Sequence, residues 1–148
     1  MSEIPSEPIR PGSLTLEQAR KIVDAMVEYA TTTKPGRGMA FAVVDECGVL
    51  ICFARMPQAS LINRQMAEYK AWSAIAFKRD TRATRDLLAK IGLKAIDFCE
   101  PDRLTLIPGG NLIRTKEGFT VGAVGTSGRH YDEDEELALV GVKAYEQS

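Results

Sequence analysis

The first part of the chain combines an amphipathic pattern with short apolar runs. Apolar residues recur at helical spacing from Leu16 to Ala30, directly after the capping-box sequence Thr15-Leu16-Glu17-Gln18, and this predicts a first helix. Two nearly continuous apolar runs, at residues 39–44 and 49–56, predict a β-hairpin whose turn is shaped by Asp45. Because these runs do not alternate with polar residues, we expect cover on both faces of the sheet.

Weaker patterns predict further helices and strands in the rest of the chain. A second helix is expected at about residues 61–78, and Thr81 begins a shorter, more polar helix that ends near Gly92. A last helix begins at Asp132, where acidic residues suit the positive end of the helix dipole. Three more strands are predicted at residues 104–107, 112–114 and 119–126, with turns at 108–110 and 116–118.

The last predicted strand is unusual because glycines interrupt its apolar and β-branched residues. Glycine weakens a strand interior and marks places where another backbone, a helix or a ligand comes close. Gly122 and Gly125 are three residues apart and therefore face opposite sides of the sheet. We expect tight packing on one side and a ligand on the other.

Composition and charge exclude several classes of partner. The 148 residues are 45% hydrophobic and carry a formal net charge of -1, which fits one globular domain. This charge balance does not favour nucleic acid or anionic lipid, and no apolar run approaches the length of a membrane span. Residues 1–13 lack the apolar core of a signal peptide, so we expect a flexible arm before a domain at residues 14–148, in the cytoplasm.

Familiar cysteine and cofactor motifs are absent from the sequence. Cys47, Cys52 and Cys99 have neither metal-finger nor redox spacing, and we expect them to be reduced, buried thiols. The sequence also contains no nucleophile elbow, phosphate loop or dinucleotide fingerprint. An enzyme of those classes is therefore not predicted.

Short motifs spread over residues 14–146 carry a family resemblance. They are Leu14-Thr15-Leu16, Ala42-Val43-Val44-Asp45 with Gly48, Phe53-Ala54-Arg55-Met56, Lys70-Ala71, Pro108-Gly109-Gly110 and the run from Val121 to Gly128. In this order they resemble the GlcG/HbpS family, also called DUF336, which includes the C-terminal domain of PduO-type proteins. The resemblance implies a profilin-like three-layer α/β/α sandwich with a five-stranded antiparallel sheet, assembled into homo-oligomers. It also implies that the protein binds haem or a related tetrapyrrole. Genes of this family often lie beside catabolic genes.

The chain departs from the family pattern in two loops. Asn111 follows Pro108-Gly109-Gly110 where the family usually has an apolar residue. After Ser127 and Gly128, the family often continues with glycine, whereas this chain continues Arg129-His130-Tyr131. The added polar groups favour a site for a small polar substrate over simple haem storage.

Three residues are the main candidates for catalysis. Lys70 lies on a helical row of small residues, where burial would lower its pKa and suit it to act as a base or to bind an anion; the alternative is a side chain that reaches the surface. His130, the one histidine, could ligate haem iron, transfer a proton or remain a solvated loop residue. Asn111 could donate to a ligand oxygen, and we expect it to border one pocket with Lys70 and His130.

Two functions stay open at this point. The first is a protein that binds haem, with His130 on the iron. The second is a cofactor-independent lyase, hydrolase or isomerase that uses Lys70 and His130 on a small organic acid or aromatic compound. In either case the partners are a small molecule and further copies of the chain, since Trp72 and Tyr69 lie near an apolar hairpin. Further ligand-binding candidates are Arg55, Gly109, Gly110, Ser127 and Arg129.

Overall fold

An antiparallel sheet organises the fold. The computed structural model describes residues 13–98 and 103–148. In this part of the chain, four strands lie in the order β2-β1-β4-β3, so β1 and β4 are central and β2 and β3 are at the edges. The strands are β1 (Ala40–Asp45), β2 (Leu50–Arg55), β3 (Gly110–Arg114) and β4 (Thr120–Ser127).

Helices pack against both faces of the sheet. On one face lie α1 (Leu16–Glu28), which continues into a π-helical turn at Tyr29–Thr33, and α4 (Tyr131–Glu146). On the other face, α2 (Leu61–Phe77) packs along β4, β1 and β3, and α3 (Thr81–Ile91) lies beside α2 near β3. The predicted combination of an antiparallel sheet with packed helices is confirmed. None of the helices in the described ranges is long and apolar enough to cross a membrane.

Local signals fix the ends of several elements as expected. At the start of α1, the Gln18 backbone N–H donates to Thr15 Oγ1 at 3.1 Å, and the Thr15 N–H donates to Gln18 Oε1 at 2.9 Å. In the β1–β2 hairpin, Asp45 Oδ1 accepts the backbone N–H groups of Cys47 and Val49. Both the capping box and the turn role of Asp45 are therefore confirmed.

The expectation of five strands is not met, because residues 104–107 form no strand. The backbone around this segment is held by a side chain of α2 instead of a neighbouring strand. Ser73 Oγ donates to the Arg103 carbonyl at 3.2 Å and accepts the Thr105 N–H at 2.9 Å. The prediction of full cover also fails for β2, an edge strand whose side chains are partly exposed, whereas β1 is buried as expected.

Glycines in β4 allow two close approaches of protein backbone. A Cβ atom at Gly125 would lie 1.8 Å from the Ala67 carbonyl oxygen of α2. A Cβ atom at Gly122 would lie 2.3 Å from the Val44 carbonyl oxygen of β1 and 2.6 Å from Leu14 Cδ1. The tight packing is confirmed at Gly125, but protein atoms also fill the side on which a ligand was expected.

Predictions for the N-terminus and the cysteines have mixed outcomes. The expected arm falls almost entirely on residues 1–12, which lie outside the described ranges, as does Cys99. Cys47 is exposed and Cys52 is half-buried. The prediction that the cysteines are buried is therefore wrong for Cys47, which occupies the tip of the hairpin.

Candidate functional site

Lys70 is buried within the protein and does not reach the surface. Lys70 is only 1% exposed, because it lies on the inward face of α2 together with Ala67, Ala71 and Ala74. Its Nζ donates to Asp134 Oδ2 at 2.9 Å and to the Thr126 carbonyl oxygen at 2.8 Å. The ammonium group is thus held by a carboxylate and a carbonyl of the protein itself.

Asp134 completes a buried ion pair that joins three elements. Its Oδ2 accepts from Lys70 of α2, and its Oδ1 accepts the Arg129 backbone N–H at 3.0 Å. Thr126 Oγ1, at the end of β4, donates to the Asp134 carbonyl oxygen. Burial lowers the pKa of Lys70 and raises the pKa of Asp134, while their mutual attraction opposes both changes. We call these two residues the buried ion pair.

Glycines next to the ion pair make room for protein atoms. Gly109 has φ of 123°, a backbone conformation that side chains rarely adopt. A Cβ there would lie 2.8 Å from the Thr126 carbonyl oxygen and 3.1 Å from Lys70 Nζ. A Cβ at Gly110 would lie 2.2 Å from the Lys70 carbonyl oxygen. Both glycines, predicted to bind ligand, border the ion pair or the backbone of α2.

His130 lies at the surface as the N-cap residue of α4. Its side chain is 60% exposed, and its Nδ1 accepts the Asp132 backbone N–H at 3.2 Å. The ring lies against Tyr131, with 4.1 Å between the two ring centroids. Asp132 Oδ2 is 3.6 Å from the same Nδ1. His130 is therefore next in sequence to Arg129, whose backbone N–H binds Asp134. Its ring is nevertheless at the surface, whereas Lys70 is buried.

An apolar cavity of about 660 Å³ lies beside Tyr131. The second half of α3, the short 3-10 helix at Ala95–Asp97 and the segment before β3 line it, and it is open to solvent. The guanidinium carbon of Arg85 is 5.6 Å from the centroid of the Tyr131 ring, within the range of a cation–π contact. Its lining residues include Arg85, Leu88, Leu93, Lys94, Ile107 and Tyr131.

Asn111 occupies a third setting, on β3 under α3 and α4. The residue is 3% exposed and lines a smaller cavity together with residues of both helices. Lys70 is enclosed in the ion pair, and His130 is at the surface next to the apolar cavity. In the described part of the chain, the three predicted catalytic side chains thus lie in three different environments and do not share one open pocket.

The other predicted ligand-binding residues bond to the protein. The Arg129 side chain is 3% exposed and donates to the carbonyl oxygens of Ala30, Lys34 and Arg37, at the end of the first helical segment. Arg55 donates from Nη1 to the carbonyl oxygens of Met56, Pro57 and Ala59. Ser127 Oγ donates to Asn63 Oδ1 at 3.3 Å. These bonds tie loops to the sheet and to α2.

Sequence reasoning missed Asp134 and the apolar cavity. The sequence predicts that the acidic residues at the start of the last helix suit the helix dipole at the surface, which holds for exposed Asp132 but not for buried Asp134. The available signal was helical spacing, since Asp134 shares the inward face of α4 with Leu137, Ala138 and Gly141. The cavity had a fainter signal in Leu88 and Leu93, apolar residues in and after the polar helix α3, both of which line it.

Comparison by sequence identifies related chains. The family model described as haem degrading protein HbpS-like matches residues 14–143. The corrinoid adenosyltransferase PduO of Salmonella typhimurium is 25% identical over 140 residues, which are 94% of this chain and 41% of PduO. The chain thus spans about two fifths of that relative's length. An uncharacterized 15.0 kDa protein of Citrobacter freundii, from the dhaT-dhaS intergenic region, is 25% identical over 92% of this chain and 94% of its own length.

Solved structures share the fold over almost the whole chain. A crystal structure of a PduOC:heme complex has a TM-score of 0.79 at 25% identity, and covers 89% of this chain and 94% of that one. The crystal structure of HbpS has a TM-score of 0.77 at 28% identity, with 97% of both chains covered. The Klebsiella pneumoniae protein ORFY has a TM-score of 0.80 at 24% identity, covering 98% of this chain and 97% of its own, and supports the fold alone.

Proposed function

This chain belongs to the HbpS-like family, and from that premise we propose that it binds haem or a related tetrapyrrole. The observation that carries the proposal is the similarity to the PduOC:heme complex, which extends over 89% of the chain at 25% identity. The family description, haem degrading protein, points to the same group.

The volume and the apolar lining of the cavity beside Tyr131 support this proposal. Ligand sites are commonly about 300–1,000 Å³ and mostly apolar, and this cavity measures about 660 Å³. Leu88, Leu93 and Ile107 offer apolar surface for the macrocycle. Arg85 and Lys94 line the same cavity and could pair with the carboxylate groups of the ligand.

Two side chains at the cavity edge suit the iron. Tyrosine and histidine are both known axial ligands of haem, and Tyr131 lines the cavity while the His130 ring packs against it. A bound haem would supply an iron centre that takes an axial ligand. The donor set on this edge therefore fits the group.

The hydrogen bond to Nδ1 links the His130 ring to the N-terminus of α4. While Nδ1 accepts the Asp132 N–H, the neutral ring carries its proton on Nε2. If His130 were to hold the iron through Nε2, its proton would reside on Nδ1, where it could be donated to the Asp132 carboxylate, whose Oδ2 is 3.6 Å from Nδ1. Carboxylates commonly orient ligating histidines in this way.

Titration with hemin tests the proposal. We expect the purified protein to shift and sharpen the Soret band in a saturable manner, and His130→Ala or Tyr131→Phe to change the band position or weaken binding by about tenfold or more. Tyr69→Phe, on α2 away from the cavity, is the matched control. The absence of a Soret shift in the parent protein would overturn the proposal.

A charged residue placed in the cavity tests whether haem binds at this site, as distinct from whether the protein binds haem at all. Leu93→Asp puts a carboxylate at a lining position that is 41% exposed, so the fold should tolerate it while the apolar ligand should not. Hemin binding that is unchanged in Leu93→Asp, His130→Ala and Tyr131→Phe would show that haem binds elsewhere on the protein and would refute the assigned site.

A further inference from the structure

The outer side of α2 carries a row of side chains that do not contact the sheet. These residues are three or four positions apart and lie opposite buried Lys70, so they share one side of the helix. They are Leu61, Arg64, Glu68 and Trp72, and we call them the outer row. Leu61 is 72% exposed, whereas Trp72 is half-buried. An exposed leucine on the same side as an aromatic ring is typical of a surface that contacts another protein.

A groove of about 550 Å³ lies at the Trp72 end of the outer row, between α2 and the β1–β2 hairpin. The hairpin turn comes close to the indole ring, because a Cβ atom at Gly48 would lie 3.0 Å from Trp72 Cδ1. Val49 and Leu50 line the groove from the hairpin and are 61% and 39% exposed. The groove therefore presents apolar surface that the described residues leave uncovered.

Leu61 does not fill the groove of its own chain. It is eleven residues before Trp72, which corresponds to about three turns, or about 16 Å, along the helix axis. Leu61 is also not among the residues that line the groove. Each chain thus has a protruding leucine at one end of the outer row and an apolar groove at the other end.

The two charges between these ends are unpaired within the described part of the chain. Arg64 and Glu68 are one turn apart, but neither side chain forms a salt bridge among residues 13–98 and 103–148. A basic residue four positions before an acidic one is the less favourable order for a pair within one helix. Both charges are therefore available to a group outside the chain.

We propose that the outer row is an interface between two copies of this chain related by a two-fold axis. In such a contact, residue i of one copy meets residue j of the other, and j meets i. With α2 antiparallel to its copy and the axis between Arg64 and Glu68, Arg64 pairs with the partner's Glu68. One turn further from the axis, Leu61 enters the partner's groove beside the partner's Trp72.

The order of the outer row favours a second copy over an unrelated protein. Read in the opposite direction, the row exchanges its leucine for its groove and its positive charge for its negative charge. An antiparallel copy therefore matches the row in both shape and charge. Opposite charges that meet across an interface fix its register and disfavour other partners.

Charge reversal tests the proposal, with the protein free of hemin. We expect sedimentation velocity at micromolar concentration to give the parent a mass of at least twice 16.2 kDa. Arg64→Glu and Glu68→Arg each set like charges against each other across the axis, so each should weaken the association about tenfold or more. The double variant Arg64→Glu/Glu68→Arg restores opposite charges and should associate as the parent does. If the parent forms a larger assembly, each single reversal should at least halve its mass.

Trp72 reports on the contact independently, because it is the one tryptophan of the chain. Leu61→Asn should shift the fluorescence emission of Trp72 to longer wavelength, although the two residues are about three turns apart within one chain. Lys21→Glu reverses a charge on the surface of α1, where the Lys21 side chain is 65% exposed, and should change neither mass nor emission.

Several results would overturn the proposal. They are a monomeric parent at this concentration, single reversals that leave the mass unchanged, and a double reversal that associates as weakly as the single ones. A monomer whose Trp72 emission changes when residues 1–12 are removed would also overturn it, and would assign the groove to that segment. Circular dichroism checks that the variants fold, as expected for substitutions at surface positions.

Discussion

Lys70→Met should destabilise the protein strongly, because it leaves the Asp134 carboxylate buried without its cation. Methionine is similar to lysine in length and fills the same space, so the change removes charge and hydrogen bonds with little loss of packing. Lys70 Nζ makes two short hydrogen bonds, to Asp134 and to the Thr126 carbonyl. At about 1.5–3 kcal/mol for each bond to a charged group, their loss amounts to about 3–6 kcal/mol. Removal of one partner of a buried pair commonly costs about 3–5 kcal/mol, in agreement.

The double variant Lys70→Met/Asp134→Leu should be more stable than Lys70→Met alone. It removes both charges, and apolar replacement of a buried pair is often neutral or stabilising by about 1–4 kcal/mol. One cost remains, because the Arg129 backbone N–H loses its acceptor, at about 1–3 kcal/mol. We therefore expect the double variant to recover at least about 2 kcal/mol of the single loss.

Urea unfolding followed by circular dichroism, at pH 7 and one protein concentration, measures these differences. Lys21→Met is the matched control, since the Lys21 side chain is 65% exposed and pairs with Glu17 on the surface of α1. It should change the unfolding free energy by less than about 0.5 kcal/mol. The reasoning is wrong if Lys70→Met costs less than about 1 kcal/mol, or if the double variant is no more stable than Lys70→Met.

Three further predictions concern packing, pH and assembly. Gly125→Ala should lower the unfolding free energy by about 3 kcal/mol or more, because its Cβ would overlap the Ala67 carbonyl oxygen. Gly118→Ala, which has open space around it, should cost only about 1–2 kcal/mol, because the positive φ of Gly118 is unfavourable for alanine. Equal losses of unfolding free energy in urea would contradict this. Burial lowers the pKa of Lys70 from its ordinary 10.5, so at pH values between the folded and the unfolded pKa the unfolded chain binds more protons at this residue. The parent should therefore gain stability relative to Lys70→Met as the pH rises towards 10.5, and a difference that does not change with pH would contradict this. Light scattering at micromolar concentration should give at least twice 16.2 kDa, because large apolar side chains such as Leu61 and Phe119 are exposed, and a monomer would exclude a homo-oligomer.

The parts of the fold that the sequence predicted are those that depend on neighbouring residues. Thr15 and Gln18 form their capping box within one turn of helix, and Asp45 closes its own hairpin turn. Residues 104–107 have the composition of a strand, yet their backbone is held by Ser73 of α2. Local propensity carries no information about such a distant partner, which is why the fifth strand was wrongly expected.

The candidate site shows the same division. Helical spacing predicted that Lys70 faces inward, which the structure confirms, but not that Asp134, 64 residues later, would meet it. That contact depends on how α4 docks on the sheet. His130 and Asn111 were selected as polar additions to two loops, and packing placed them in different environments.

The buried ion pair and the exposed edge of the apolar cavity belong to one connected structure. Asp134 binds the backbone N–H of Arg129, whose side chain in turn is fixed by three carbonyl oxygens at the end of the first helical segment. The next two residues are His130 and Tyr131, so both are attached to a backbone anchored from two sides. A ligand site works best when rigid neighbours fix its contacting side chains before binding. In the proposed haem site, Lys70, which is 1% exposed, would therefore act indirectly, by holding the turn that presents His130 and Tyr131.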